Sequence, residues 1–210
     1  KLVTGVQTCA LPILSVVNPL GAIPMYNSLT VSYTKKERQS SALHISLYYI
    51  AILLSFFLVG TYILQFFGIS VNAMRIAGGL VILSSGYGLL QGKFEQSRMS
   101  DKVKEEALHK QDISFSPMAM PMLSGPGSIS LLITYFNEYE EISYKVGIAM
   151  MIILSGFIVF LTLRAAPFLD KFLGVSGQRA VSRIMGFLVM SIGIQYIIGG
   201  VVALVDSYTK

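Results

Sequence analysis

Met122-Leu123-Ser124-Gly125-Pro126-Gly127-Ser128-Ile129-Ser130 lies inside the apolar stretch 114–136. A stretch of about 20 apolar residues crosses a bilayer as a helix. Gly-Pro-Gly interrupts one, because proline has no N–H and glycine stabilises the helix poorly. Backbone groups freed inside hydrocarbon must then face protein or a wet cavity. Asn18-Pro19-Leu20-Gly21 makes a second interruption of the same kind near the start of the chain. Paired breaks in corresponding positions of two halves are the sequence pointer to a transporter's binding site.

The composition agrees with a membrane setting. Of 210 residues, 53% are hydrophobic and 13% charged, where soluble domains carry roughly 25% charged residues; the mean hydropathy is +0.66. Apolar runs at 43–67, 72–92, 114–136, 144–163 and 184–205, with a first run ending near Thr30, predict six transmembrane helices. Residues 3–13 resemble the translation of a sequencing-library adapter, so 1–13 is set aside as an artefact that replaces the native start of helix 1. Cys9, the one cysteine, falls within it.

The net charge of +5 is a topology signal rather than a nucleic-acid footprint. With six spans, Lys35, Lys36, Arg38, Lys93, Arg98, Lys102, Lys104, Lys110, Arg164, Lys171, Arg179 and Arg183 share one side. Arg75, Lys145 and Lys210 face the other. Positive-inside bias makes the loops 31–40, 93–112 and 164–183 cytoplasmic and puts both termini outside.

The chain divides into repeat 1 (14–92, its first helix truncated), a polar cytoplasmic linker (93–112) and repeat 2 (113–210). A shift near 108 aligns the halves. Arg75-Ile76-Ala77-Gly78-Gly79 then matches Arg183-Ile184-Met185-Gly186-Phe187, and Phe67-Gly68-Ile69-Ser70 matches Leu173-Gly174-Val175-Ser176. Asn18-Pro19 falls opposite Gly125-Pro126. Three helices per half is an odd number, so the second copy enters from the opposite face. The expected fold is an all-α membrane protein of two inverted three-helix repeats, with helices 1 and 4 broken by Pro and Gly.

The candidate substrate-binding residues are Asn18, Pro19, Gly21, Arg75, Ser124, Gly125, Pro126, Gly127, Ser128 and Arg183. A half-helix that starts at a break offers free N–H groups and a positive dipole end to a carboxylate. Ser124, Ser128 and the Asn18 amide add side-chain donors and acceptors. The alternative is a packing kink, since Gly and Pro are common in membrane helices. Arg183 is accounted for by a headgroup anchor. Arg75 lies on the cation-poor side, where it binds a solute carboxylate or pairs with an outer acid such as Glu138. The small residues Gly78, Gly79, Ser84, Ser85, Gly86 and Gly88 of helix 3 and Gly186, Ser191, Gly193, Gly199 and Gly200 of helix 6 read as close helix packing. Gln195 reads as a buried amide in need of a partner. No metal cluster, nucleophile–base set or cofactor motif stands out, so neither an enzyme nor a cofactor is expected. The spans lack convincing carboxylates, so ion coupling would use carbonyls and hydroxyls around a cation.

Asn18-Pro19-Leu20-Gly21-Ala22-Ile23-Pro24, Arg75-Ile76-Ala77-Gly78-Gly79, the 122–130 stretch and Arg183-Ile184-Met185-Gly186 together resemble the MarC family of bacterial inner-membrane proteins. The likeness covers about residues 14–210. It implies a six-helix integral protein related to the LysE-type transporter group, and some relatives are described as small neutral amino-acid transporters. The expected function is secondary transport of a small zwitterionic solute. The expected partners are the lipid bilayer, that solute, a coupling cation and no nucleic acid, and a homo-oligomer is compatible. The alternative is a non-transporting scaffold or stress-associated protein.

Overall fold

The structure is a computed structural model that describes residues 12–91 and 112–209. The linker 93–112, apart from Asp112, and nearly all of the suspected adapter lie outside the described residues. Residues 12–17 form a short helix, α1, with Ile13 buried. After Asn18 come a 3-10 turn, Pro19–Ala22, and α2, Ile23–Leu29. Then follow α3 (Lys35–Phe66) and α4 (Val71–Leu90). A wide-turned helical segment, Ser114–Leu123, leads into α5 (Pro126–Glu138), α6 (Ile142–Arg164) and α7 (Ala166–Thr209).

Helix is the only regular structure among the described residues. Among the described residues, four helices are long and apolar enough to cross a membrane: Lys35–Phe66, Val71–Leu90, Ile142–Arg164 and Ser176–Ser207. The first and fourth apolar runs are present as interrupted pieces. α5 explains why they can be. Nine consecutive residues, Gly127 to Tyr135, are buried on every side of it, the signature of a helix enclosed by others. It packs against α3 and α4, while α3 also holds α6. Large apolar side chains such as Leu58, Tyr62, Leu80, Met150, Phe157 and Phe187 are exposed around the outside, a surface that suits hydrocarbon and not water.

Two expected loops prove largely helical. Of 31–40, only the first few residues form a turn. Thr34 then starts α3 with a capping box, its hydroxyl accepting from Glu37 N while the Glu37 carboxylate accepts from Thr34 N, so the helix begins well before its apolar run. Arg38 lies on that first part of α3 and donates from Nε to the Thr30 carbonyl at 3.0 Å, satisfying a terminal acceptor of α2. The expected loop 164–183 is helical apart from Ala165 and a break at Gly174, where φ is 60° and ψ 179°. Polar, basic sequence is fully compatible with helix once it projects beyond the bilayer. Apolar length marks the span and not the end of the helix.

α4 and α7 make the most extensive helix pairing among the described residues. Gly79 approaches Gly193, Gly86 approaches Gly186, and Gly200 approaches Ile76, so the two helices run antiparallel. A Cβ on Gly193 would lie 2.7 Å from Leu83 N and 2.8 Å from Gly79 O. The backbones therefore touch directly, as small residues permit in lipid. Gly186, Gly193 and Gly200 recur every seven residues on α7; the first two meet Gly86 and Gly79, themselves seven apart, and the third meets Asn72 and Ile76.

Candidate functional site

Both breaks have a local cause. Asn18 takes a left-handed conformation, φ 47° and ψ 69°, which Asn tolerates better than other non-glycine residues. Its N–H closes α1 on Leu14 O at 2.9 Å, and its Oδ1 accepts from Gly21 N at 3.3 Å. Pro19 follows at the first position of the 3-10 turn, where its missing N–H costs nothing. In the second break, Ser116 and Met120 are extended. Each precedes a proline, whose ring disfavours helical geometry at the residue before it. Gly125 is extended at the cap of α5 and Pro126 opens the helix.

The start of α5 is left uncapped by any side chain. Pro126 has no N–H, and the first backbone donation into the helix is Ile129 N to Gly125 O at 3.2 Å. The N–H groups of Gly127 and Ser128 precede that bond and point out of the positive end of the helix. A cavity of about 260 Å³ lies against them, lined by Gly125, Pro126, Gly127 and Ser128, by Pro121, by Val16 of α1, and by Val81, Ile82 and Ser85 of α4. A Cβ on Gly127 would sit 2.8 Å from Ile82 Cγ1 and 3.7 Å from Val16 Cγ1. Val16, two residues before the α1 break, therefore borders the same space as the α5 break, and the turn Pro19–Ala22 packs on the segment Ser114–Leu123.

Two buried side chains close in sequence to the lining segments, but outside the lining itself, lack a partner among the described residues. Asn18 is 2% exposed and its Nδ2 makes no hydrogen bond; Ser124 is 1% exposed and its Oγ makes none. Buried polar groups are nearly always paired, so each exception asks for an explanation. One falls at each break. Ser128 and Ser85 add hydroxyls to a wall that is otherwise apolar.

Of the residues singled out from sequence, Gly125, Pro126, Gly127 and Ser128 line the cavity; Asn18, Pro19, Gly21 and Ser124 lie in adjoining segments outside its lining. Arg75 does not join them. It lies at the start of the second turn of α4, about 10–15 Å along the helix from Ile82 and Ser85 at 1.5 Å per residue. There Nη2 is 3.7 Å from Glu138 Oε2, and the guanidinium lies 5.3 Å from the centre of the Tyr196 ring. The pairing with Glu138 is one of the two roles expected for Arg75. Arg183 is exposed on α7 at the opposite end of the α4–α7 pair, without an ion pair among the described residues. Gln195, expected to be buried, is exposed on the outside of α7. The helical phase decides this: Gly193 and Ile197 face α4, which turns position 195 away.

Val16, Ile82, Ser85 and Tyr196 were not legible as site residues. Ser85 sits in a run of small residues that reads as packing, and Tyr196 carries no local signal beyond its apolar surroundings. Because the Arg75–Glu138 pair is partly solvated, with Glu138 44% exposed, Glu138→Gln is expected to change unfolding free energy by less than about 1 kcal/mol. Arg75→Leu is expected to cost more, since it also removes the contact with Tyr196. Denaturant titration in detergent micelles measures both, and equal losses would make the ion pair the whole of Arg75's contribution.

Comparison with known proteins places the chain. Residues 4–205 match the family described as MarC family integral membrane protein. A UPF0056 membrane protein of Methanocaldococcus jannaschii is 38% identical over 189 residues, covering 90% of this chain and 92% of the relative. The UPF0056 membrane protein YhcE of Escherichia coli strain K12 is 34% identical, covering 89% and 87%. The UPF0056 inner membrane protein MarC of Escherichia coli strain UTI89 is 31% identical, covering 93% of each. No solved structure matches the chain. On the breadth of these matches, the chain belongs to the MarC family of integral membrane proteins.

Proposed function

We propose that this membrane protein is a secondary transporter of a small zwitterionic solute, such as a neutral amino acid, built as six spans in two inverted repeats. The observation that carries this reading is the uncapped start of α5 at Gly127 and Ser128 against the cavity, joined by an unpartnered buried donor at each helix break, Asn18 Nδ2 and Ser124 Oγ. A carboxylate accepts from such donors and from the free N–H groups of Gly127 and Ser128, and a helix start favours its charge. The cavity of about 260 Å³ suits a solute of few heavy atoms. Binding there would give the N–H groups at the start of α5 an acceptor.

The antiparallel α4–α7 contact supports opposite insertion of the two halves, as an inverted repeat requires. In the same reading, the positive charges near the starts of α3 and α7 and the end of α6 face the cytoplasm of the bacterial inner membrane. Arg75 and Glu138 then stand at the outer mouth, and a coupling cation uses carbonyls freed at the breaks.

Uptake of labelled glycine or alanine into proteoliposomes tests the reading. Saturable uptake by folded protein is expected, with competition by other small neutral amino acids. Flat uptake across a panel of small amino acids would instead favour a scaffold in which the breaks serve packing.

A further inference from the structure

We propose that the outward face of α7 is the contact between two copies of this chain, related by a two-fold axis along the membrane normal and held by their Gln195 amides. Ile184, Leu188, Ser191, Gln195, Ile198 and Val202 are all exposed. They are spaced four, three, four, three and four residues apart, the 3.5-residue period of a coiled-coil seam. At about 100° per residue this seam lies roughly 180° from Gly193 and the rest of the α4-packing face. Among the described residues, α7 is also the least covered of the four spans. The most apolar part of Ser176–Ser207 is 22% buried, against 33% for each of the other three spans.

Exposed leucine, isoleucine and valine are satisfied by lipid and call for no protein partner. Gln195 is different. It stands near the middle of the apolar run 184–205, and its amide has no hydrogen-bond partner among the described residues. Ser191 on the same face already donates to Phe187 O at 3.0 Å, which leaves the amide as the unsatisfied group. A primary amide offers both donors and an acceptor, so an identical amide complements it. Copies inserted with the same orientation can meet through a two-fold axis only if that axis runs along the membrane normal. Their α7 helices then lie parallel, and position 195 meets position 195 at the same depth. Gln195 occupies the seam position equivalent to Leu188 and Val202, where one polar residue sets register and strand number. The contact is isologous and closes at two copies. It stands independently of whether the protein transports anything.

Cross-linking in lipid vesicles at low protein-to-lipid ratio tests it. In the full chain with Cys9→Ser, single substitutions Ile198→Cys and Val202→Cys place thiols on the seam, and Leu161→Cys places one on the exposed face of α6. Oxidation is expected to give a disulfide-linked dimer from the first two and monomer from the third. Adding Gln195→Leu to Ile198→Cys is expected to lower the linked fraction roughly fivefold or more, while Gln195→Asn retains most of it. Equal linkage at Leu161 and Ile198, or a linked fraction indifferent to Gln195→Leu, would overturn the proposal. So would assemblies of three or more copies by native mass spectrometry.

Discussion

Ser124→Ala is expected to make the protein harder to unfold and, at the same time, to impair solute binding. The hydroxyl is 1% exposed and unpaired. An unsatisfied buried polar group costs the fold about 1–3 kcal/mol, so its removal should raise the unfolding free energy, by about 1 kcal/mol or more. A hydrogen bond to a charged ligand contributes about 1.5–3 kcal/mol. Its loss should therefore weaken apparent affinity roughly 10- to 150-fold. Ser155 supplies the contrast. It is 2% exposed, but its Oγ is 2.9 Å from Tyr49 Oη and donates to Ile152 O at 2.7 Å. Ser155→Ala should destabilise the fold and leave affinity alone. Thermal unfolding in micelles and proteoliposome uptake separate the two variants. If Ser124→Ala leaves uptake intact, the hydroxyl does not meet the solute; if it lowers stability, the hydroxyl is already paired.

Gly193→Leu is expected to be the most damaging single change to the fold. A Cβ there falls within 2.8 Å of backbone atoms of Leu83 and Gly79, and backbone cannot rotate aside as a side chain can. Overpacking usually costs about 1–3 kcal/mol, and parting α4 from α7 along a backbone contact should cost about 3 kcal/mol or more. Gly86→Leu should behave alike, since its Cβ would lie 2.7 Å from Met190 N and 2.8 Å from Gly186 O. Gly199 and Gly200 make an internal comparison. The atoms nearest a Cβ on Gly199 are the end of the Arg75 side chain, at 3.1–3.2 Å, whereas one on Gly200 lies 3.1 Å from Asn72 O and 2.7 Å from Ile76 Cγ1. Gly199→Ala should therefore be milder than Gly200→Ala. The check is the yield and monodispersity of folded protein in detergent, together with unfolding midpoints. Near-native behaviour of Gly193→Leu would mean that the α4–α7 contact is not the spine of the fold.

The two breaks also show how the same residue types serve different ends. Gly-Pro-Gly at 125–127 frees N–H groups into a cavity. Gly79, Gly86, Gly186 and Gly193 free nothing, because they lie in continuous helix and act only by having no side chain. Proline beside glycine distinguishes them in sequence: it removes a donor and stops the helix, where glycine alone merely narrows it.

Membrane insertion, the existence of the two breaks and the residues that form them were legible in the sequence. Each is set by apolar run length or by Pro and Gly within a few positions, and those forces are local. The pairing of Arg75 with Glu138 was legible as an option, because a lone cation near a lone acidic loop narrows the choices. Tertiary structure alone decided which helix the glycine stripes meet, that α5 is buried on every side, and that Val16, Ile82 and Ser85 join Gly125–Ser128 around one cavity. It also turned Gln195 outward. In an all-apolar span hydropathy has no polar side to orient the helix, so its direction is settled only by which neighbouring backbone fits closely enough to touch.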